Sequence, residues 1–454
     1  MRRKVTGPYR AAEPPNQIMN IRHNYKFVFS ILSAVLILLS ISPVNASTEE
    51  SDYDSVIVVP KKTSVYSKRT DRLMRRQGIK YRKIVNDTFV IPLEKSSDKE
   101  KSIAELKKSG LFDLVEPDYK ISLDEYGERN YNTIIKHSDE LTTGIEDISQ
   151  GIKEITPNDK GFASQYYLKD INANKAWSIT VGNSLSVGVL DTGVDSNHPD
   201  LIGKVITDNS VSTDDTVDSI GHGTEVSGII AANTNNNQGI AGIAWNTMIL
   251  PVKVTDENGQ ARVSTVVAAL DKAYSSGAKI IQISLSTSQF SQTLKDAIAL
   301  AQSRGLLIVS TGGNTAIREV RYPAAFDGVI GVGATDQSGK IESYSTTGDH
   351  ISLVAPGSSI YTTSIDSGYA AVSGTSFSAP QVSGTAALIW SVVPTLTNDE
   401  VRDILIQSAT DLGNPGKDTT YGYGLLNTEK AIELAKAKSI KLITEQKANS
   451  ELRF

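Results

Sequence analysis

Short apolar runs alternate with amphipathic stretches through most of the chain, from about residue 156 to residue 435. The runs have the length of buried strands, and the stretches between them have helical composition. Apolar runs lie at 185–190, 248–254, 279–285, 306–311 and 328–332, with helical stretches at 262–275 and 292–304. This alternation predicts an α/β fold, a doubly wound and mostly parallel sheet with helices on both faces.

A smaller unit with a different order of elements precedes this region, in residues 54–123. Strand-like runs lie at 55–60, 87–93 and 112–123, and stretches of helical composition lie at 64–76 and 97–109. This order predicts a small ferredoxin-like α+β domain. Residues 124–155 are polar and are predicted to be a linker, and residues 436–454 are predicted to form a polar tail.

The N-terminus has the pattern of an export signal. Arg22 and Lys26 precede the apolar run 27–41, which is followed by small residues ending at Ala46. This pattern is typical of a signal peptide, here residues 1–46, although translation could begin at Met19. Because the run is short for a membrane span and acidic residues follow it, we expect a secreted, extracellular bacterial protein without a stable membrane anchor.

Composition limits the possible partners and stabilising bonds. The 454-residue chain has 46 basic and 51 acidic residues, a net charge of −5, which predicts no general affinity for nucleic acid or acidic membranes. It contains no cysteine, so disulfides and thiol catalysis are excluded. An exported chain without disulfides needs another stabilising element, for which a bound metal is one candidate. We expect a monomer.

Three short motifs supply an acid, an imidazole and a hydroxyl, the groups needed for acyl transfer. Asp191 ends the apolar run in SVGVLDTG, His222 lies in GHGTEVSG, and Ser376 lies in SGTSFSAPQVSG. A neutral His222 can take the proton of Ser376 and return it to a leaving amine, and a buried Asp191 would orient the imidazole. A helix that begins near Ser376 would stabilise the oxyanion. Asn314, which follows LLIVSTGG, can donate to the same oxyanion.

The order of these residues, Asp then His then Ser, is that of subtilisin. The motifs DTGVDSNHPDL, GHGTEVSG, SLS, STGGN and GTSFSAP resemble those of the subtilisin-like proteases, over about residues 156–435. The resemblance implies serine endopeptidase activity on proteins or peptides, with the triad and asparagine roles given above. It also implies that residues 54–123 are an inhibitory propeptide and folding chaperone, removed by self-cleavage between Lys120 and Asp159. The resemblance makes His198 structural rather than catalytic.

Three further segments resemble the tight calcium site of thermitase-like members of this family. They are ITPND (155–159), the single acid at position 200, and AANTNNNQGIAG (231–242). The implied ligands are side-chain oxygens of Asp159, Asp200 and Asn236 and backbone carbonyls of Asn233, Gln238 and Ile240. Hard oxygen donors suit structural Ca²⁺ better than zinc. The alternative is an asparagine-rich turn that binds no metal.

The family binds substrate between two extended segments, where added-strand pairing gives affinity that depends little on sequence. The resemblance places these segments around Gly259 and at Ser284, Leu285 and Ser286. Ser286 stands where the family usually has glycine, which would narrow the pocket for P1, the residue whose carbonyl is attacked. Arg321 falls where the floor of this pocket is usually small or uncharged. An inward Arg321 would favour Asp or Glu and oppose Lys or Arg at P1, whereas the alternative is that it faces solvent or pairs with Glu319.

Several functions therefore stay open. Within the leading class, the enzyme could degrade proteins broadly or process one dedicated precursor, such as a lantibiotic leader. A catalytically silent relative that acts as a binding protein is a different class, and the filled catalytic positions argue against it. An esterase of the α/β-hydrolase type would need a G-x-S-x-G motif followed by the acid and histidine, and Ser376 lacks the second glycine.

Overall fold

The computed structural model describes residues 53–61, 74–75, 79–85, 87–93, 99–124, 154–207 and 216–451. The predicted signal peptide, most of the predicted linker and most of the predicted helix 64–76 lie outside these residues. The described strands are β1 (Ser55–Pro60), β2 (Arg82–Lys83), β3 (Phe89–Pro92), β4 (Phe112–Pro117), β5 (Lys120–Leu123), β6 (Ser186–Asp191), β7 (Met248–Lys253), β8 (Gln260–Arg262), β9 (Ala278–Ile283), β10 (Leu285–Ser286), β11 (Leu307–Thr311), β12 (Ile330–Thr335), β13 (Ile351–Pro356), β14 (Ile360–Ser364) and β15 (Gly368–Val372). The described helices are α1 (Lys99–Lys108), α2 (Tyr166–Asp170), α3 (Ala173–Ala176), α4 (His222–Ala231), α5 (Val263–Ser275), α6 (Gln292–Ser303), α7 (Thr375–Val392), α8 (Asn398–Ser408) and α9 (Thr428–Glu451).

A six-stranded parallel sheet, in the order β13-β12-β11-β9-β6-β7, forms the centre of the C-terminal region. Its strands are buried on both faces, as the continuous apolar run of β6 illustrates. Val187 and Val189 pack in one core with α4 and α7, whereas Leu190 packs in a second core with α5 and α6. Successive strand residues point to opposite faces, so helices cover both sides of the sheet. The predicted doubly wound α/β fold is confirmed.

Strands β13, β14 and β15 and the end of helix α9 differ from the sequence prediction. The edge strand β13 was not predicted, because its run ISLVAP lies within a polar segment of the chain. Residues 436–451, predicted to be a polar tail, continue helix α9. Ala431, Ile432 and Ala435 anchor the first part of this helix in the core, and good helix formers extend it. No helix in the described part of the chain is long and apolar enough to cross a membrane.

The N-terminal unit is a four-stranded antiparallel sheet in the order β2-β3-β1-β4 with helix α1 against β4. It has its own small core, to which β1 contributes Val56 and Val58 and β4 contributes Phe112 and Val115. This architecture agrees with the predicted ferredoxin-like α+β domain. Of the two helices predicted in this unit, at 64–76 and 97–109, the second corresponds to α1.

The strand predicted at 112–123 is in fact two strands that belong to different sheets. Strand β4 ends at Pro117, and β5 begins at Lys120 after a two-residue break. The carboxylate of Asp118, within this break, accepts hydrogen bonds from the backbone N–H (2.9 Å) and hydroxyl (2.6 Å) of Ser264 at the start of α5. This contact turns the chain toward the C-terminal region. Strand β5 then pairs antiparallel with β8 on one side and β10 on the other.

Two acidic residues of the N-terminal unit bind helix N-termini of the C-terminal region. Besides Asp118 at α5, Glu116 accepts hydrogen bonds at the start of α6 from the Ser291 hydroxyl (2.7 Å) and the backbone N–H groups of Gln292 and Thr293 (both 3.0 Å). The first N–H groups of a helix lack intrahelical partners and carry partial positive charge, so carboxylates stabilise them. Ile57 and Ile121 also pack in the core formed with α5 and α6, within one compact unit that begins at Tyr53.

Candidate active site

The acid and the base predicted from the motifs lie side by side at the carboxyl edge of the parallel sheet. Asp191 is the last residue of β6, and His222 is the first residue of α4. The imidazole Nδ1 lies 2.7 Å from the Asp191 Oδ1, and both side chains are fully buried. The same carboxylate oxygen accepts the backbone N–H of Thr192 at 2.8 Å. Asp191 thus orients the ring with its Nδ1–H toward the carboxylate, which makes Nε2 the nitrogen that can accept a proton.

A second buried acid, Asp218, holds the start of the helix that carries His222. Its carboxylate accepts five hydrogen bonds of 2.7–3.0 Å, from the Thr192 hydroxyl, the backbone N–H groups of Ile220, Gly221 and Thr224, and the Thr224 hydroxyl. The network fixes α4 to the segment that follows β6. Sequence reasoning missed Asp218. The available signal was an acid four residues before the histidine, at the N-terminal end of its helix.

The predicted nucleophile, Ser376, is the second residue of α7 and is fully buried. Its Oγ lies 2.5 Å from the carbonyl oxygen of Asp124 and 3.3 Å from that of Ser284. The ring of Phe377, the next residue, lies 5.3 Å from the His222 ring between centroids. The hydroxyl, the imidazole and the helix N-terminus therefore share one site, and a carbonyl group of this same chain lies against the hydroxyl.

The side chain of Asn314 is oriented by Thr375, the residue before the serine. The Asn314 Oδ1 accepts the backbone N–H of Thr375 at 3.1 Å and its hydroxyl at 2.8 Å. The Asn314 Nδ2 is buried and has no hydrogen-bond partner among the described residues. Since a buried unsatisfied donor costs free energy, such groups are uncommon outside functional sites. The amide is thus fixed with its donor unused.

Four of the predicted substrate-binding residues contact residues 122–124, at the end of β5 and just after it. Leu285 and Ser286 of β10 pair with Leu123 and Ser122, respectively. The backbone N–H of Asp124 donates to the Ser284 carbonyl at 3.2 Å, and that of Leu123 donates to the Gly259 carbonyl at 3.4 Å. Gly259 has φ +70°, and a Cβ there would lie 2.8 Å from the Leu123 side chain. Residues 122–124 therefore occupy the cleft in which the resemblance places a substrate.

Arg321 combines the two orientations considered from the sequence. Its side chain is buried, and its Nε donates to the Ser286 hydroxyl at 3.0 Å, so the guanidinium points into the protein. Its Nη1 also pairs with the Glu319 carboxylate at 3.2 Å. Nearby lies the buried carboxyl of Asp124. Burial raises the pKa of Asp124 to about 6, although the Arg321 charge and the Ser286 and Thr311 hydroxyls oppose this rise.

The residues predicted to bind calcium lie together around the loop 233–240. The Asp159 carboxylate accepts the backbone N–H groups of Asn235 (2.9 Å) and Asn236 (3.1 Å). Asp200 accepts the Asn236 side-chain amide and the Ile240 backbone N–H, both at 2.8 Å. Burial raises the pKa of both acids, and the charge of Asp200 further raises that of Asp159.

The donor set at this loop is made of oxygen atoms. The carbonyl oxygens of Asn233, Gln238 and Ile240 accept no hydrogen bond from the described residues. The described part of the chain contains no cluster of three or more acidic, histidine or cysteine side chains that could hold a metal. Backbone oxygens would therefore have to complete any metal site at this loop. Two desolvated carboxylates beside three unused carbonyls fit a hard cation such as Ca²⁺. Asn236 would have to turn its amide, because it presents Nδ2 to Asp200.

The second candidate histidine has a structural position. The His198 Nε2 lies 2.8 Å from the Gly368 carbonyl, and its Nδ1 accepts the backbone N–H of Asp200 at 3.1 Å. Both ring nitrogens are thus engaged with the backbone, as expected for a structural histidine.

Comparison with known proteins agrees with this geometry. The sequence profile of the subtilase family matches residues 182–424. A thermophilic serine proteinase from Bacillus sp. (strain AK1) is 40% identical over 281 residues, which cover 61% of this chain and 69% of that protein. Thermitase from Thermoactinomyces vulgaris is 38% identical over 281 residues, covering 61% and 99% of the two chains. Subtilisin DY from Bacillus licheniformis is 36% identical over 258 residues, covering 56% and 92%.

The matched region contains the parallel sheet, the Asp191–His222 pair, Asn314 and Ser376. The order of the three motifs, the fold and the similarity to named serine proteinases agree with one another. The chain therefore belongs to the subtilase family and is a subtilisin-like serine endopeptidase.

Proposed function

We propose that the protein is a secreted endopeptidase made as a self-inhibited precursor, with Asp191, His222 and Ser376 as its triad and Asn314 as an oxyanion donor. The observation that carries this proposal is strand β5. It belongs to the N-terminal part of the chain, lies antiparallel between β8 and β10, and brings the Asp124 carbonyl oxygen to 2.5 Å from the Ser376 Oγ.

In the proposed reaction, His222 takes the proton of the Ser376 hydroxyl as the oxygen attacks a substrate carbonyl carbon. Negative charge then develops on the carbonyl oxygen. The unused Nδ2 of Asn314 and the backbone N–H of Ser376, at the N-terminus of α7, are the donors available to this oxyanion. His222 returns the proton to the leaving amine. Water then hydrolyses the acyl-enzyme by the same proton transfers in reverse.

Self-inhibition follows from the shared strand pairing. Backbone hydrogen bonds supply most of the affinity when a peptide is added to a sheet edge, so a bound β5 blocks the cleft against peptides of any sequence. Residues 54–123 act as the propeptide in this proposal. Glu116 and Asp118 at two helix N-termini, and Ile57 and Ile121 in the shared core, hold the propeptide on the catalytic region.

We also assign a structural calcium ion to the loop 233–240. The side chains of Asp159, Asp200 and Asn236 and the three unused carbonyls of the loop would hold it. A divalent cation would offset the repulsion between the two desolvated acids and tie the loop to the segment around residue 159. In a chain without cysteine, this tie would take the place of a disulfide.

The proposal is tested by expressing the full chain as wild type, as Ser376→Ala, and as the control Ser391→Ala at the far end of α7. Intact mass and cleavage of an unfolded protein substrate are measured with and without Ca²⁺. Wild type and control should lose the propeptide and cleave substrate, and Ser376→Ala should stay full length and inert. Cleavage by Ser376→Ala would show that another residue is the nucleophile. Wild type that is inert under all conditions would favour a catalytically silent relative.

A further inference from the structure

Asp124 occupies the substrate position closest to the nucleophile. Its backbone N–H pairs with the Ser284 carbonyl at 3.2 Å, and its own carbonyl oxygen lies 2.5 Å from the Ser376 Oγ. The residue is 5% exposed, which places its carboxyl group inside the protein beside the catalytic cleft. The residue whose carbonyl meets the nucleophile is P1, and the pocket around its side chain determines which bonds are cut.

The pocket around the Asp124 carboxyl is polar, and its cation, Arg321, is paired with Glu319 at 3.2 Å. The Ser286 and Thr311 hydroxyls and the Arg321 guanidinium all stabilise the ionised carboxyl. Arg321 is held in place by the Ser286 hydroxyl and by Glu319. It also lies over Gly313, where a Cβ would come within 2.9 Å of the Arg321 Cγ. The absence of a side chain at position 313 therefore leaves room for the arginine.

Charge determines which side chains this pocket accepts. An acidic side chain brings a negative charge close to the buried guanidinium, whereas Lys or Arg would bring a second cation into a region with little water. A large apolar side chain would use none of the polar groups. Burial opposes the charge of Asp124, yet with a pKa of about 6 the carboxyl is mostly ionised at neutral pH.

We propose that the precursor cleaves its own chain between Asp124 and Glu125, and that the mature enzyme selects an acidic residue at P1. This inference rests on the proposed function. In the step, the Ser376 Oγ bonds to the Asp124 carbonyl carbon, the bond from that carbon to the Glu125 nitrogen breaks, and His222 passes the serine proton to that nitrogen. Water then releases Asp124 as a new carboxyl terminus. Such a restricted pocket suits processing of a dedicated precursor better than broad degradation.

The first experiment follows maturation of the full chain. Wild type, Asp124→Glu and Asp124→Lys are purified, and early products are identified by intact mass and N-terminal sequencing. The early wild-type product should begin at Glu125, and Asp124→Glu should give the same product. Asp124→Lys should slow this cut at least about tenfold, as expected when a like charge is placed beside a buried cation. Equal rates for Asp124→Lys and wild type, or a first cut elsewhere, would overturn the inference.

The second experiment profiles peptides that differ only at P1, with wild type, Arg321→Met and the control Arg318→Met. Arg318 lies three residues away and is largely exposed, with 65% of its side chain accessible. Wild type and control should show kcat/KM at least about tenfold higher for Asp or Glu than for Leu, and about 100-fold higher than for Lys. Arg321→Met should lose this preference, measured as the ratio of kcat/KM for the Asp or Glu peptide to kcat/KM for the Leu peptide. An unchanged profile in Arg321→Met would remove the assigned role of the arginine.

The outcomes separate this inference from the proposed function. An active wild type that cuts after apolar or basic residues would overturn the acidic pocket and leave the endopeptidase intact. If wild type cleaves neither itself nor any peptide, the proposed function fails and the inference fails with it. If Arg321→Met does not fold, the wild-type profile and the Asp124 series still decide.

Discussion

Replacing Asp124 with Asn tests whether burial or the Arg321 charge has the larger effect on the pKa of the Asp124 carboxyl. The comparison is made in a Ser376→Ala precursor, which by the proposed mechanism cannot cut itself. Asn has the shape of a protonated Asp but does not titrate, so the difference in stability between the two precursors isolates the Asp124 carboxyl. His222 and Arg321 interact electrostatically with this carboxyl. Both residues are present in each precursor, so most of the pH dependence that they contribute to stability cancels in the comparison.

The expected size follows from the pKa of the carboxyl group. Burial raises the pKa of Asp124 from 3.8 to about 6 in the folded protein, a rise of about 2 units. At 1.36 kcal/mol per unit, this corresponds to about 3 kcal/mol. Because the folded state holds the proton more tightly, the advantage of Asp over Asn is complete below pH 3.8. It should fall as the pH rises toward 6, and it should then stay constant.

The assay is thermal and urea unfolding of both precursors, from pH 3.5 to pH 8, followed by far-UV circular dichroism and by tryptophan fluorescence, which reports on the C-terminal region only. If the N-terminal unit unfolds first, the comparison uses that transition. The Asp precursor should lose about 3 kcal/mol relative to the Asn precursor, with most of the loss between pH 4 and pH 6. A difference that is flat with pH would refute the raised pKa. If the Asp precursor instead gains stability relative to the Asn precursor as the pH rises, the Arg321 charge outweighs burial.

Three other changes have expected outcomes. Asn314→Ala should lower kcat about 100- to 1,000-fold with little change in KM, a magnitude known from subtilisin itself rather than worked from these distances. Asp118→Asn should destabilise the Ser376→Ala precursor by about 1.5–3 kcal/mol, because two bonds to the start of α5 lose their charged acceptor; unfolding in urea measures this. Chelation with EDTA should lower the Tm of the precursor, and Asp200→Asn should lower it to a similar value and remove the response to EDTA.

Each of these three has a result that would contradict it. If Asn314→Ala weakened substrate binding by the same factor as it lowered kcat, a structural role would be indicated rather than oxyanion stabilisation. If Asp118→Asn destabilises no more than Glu105→Gln on the exposed face of α1, the helix contact contributes little. If EDTA leaves the Tm unchanged, the loop 233–240 is an asparagine-rich turn that binds no metal.

The sequence was sufficient to predict five of the six strands of the parallel sheet because the pattern is local. A parallel strand covered on both faces is continuously apolar, so the run that ends at Asp191 could be recognised without knowing its partners. The chemical motifs were equally local, since each places its reactive residue among small neighbours. Strand β13 was missed because ISLVAP is a short run in a polar segment and its burial depends on β12.

The arrangement at the cleft depended on contacts between distant parts of the chain. The pairing of residues 120–123 with β8 and β10 joins segments more than a hundred residues apart, and local periodicity cannot predict such a partner. The direction of Arg321 likewise depends on the Ser286 hydroxyl of another strand. The orientation of Asn314 depends on Thr375, which hydrophobic patterning could not reveal.

The position of β5 between β8 and β10 has a consequence for protein engineering. In the proposed self-cleavage, the chain must be recognised by its own cleft before it can recognise any other peptide. Redesigning the pocket for a new side chain would therefore also change how the precursor recognises residue 124. A library of pocket variants screened for secreted activity would reject good enzymes that cannot mature. Varying position 124 together with the pocket would recover them.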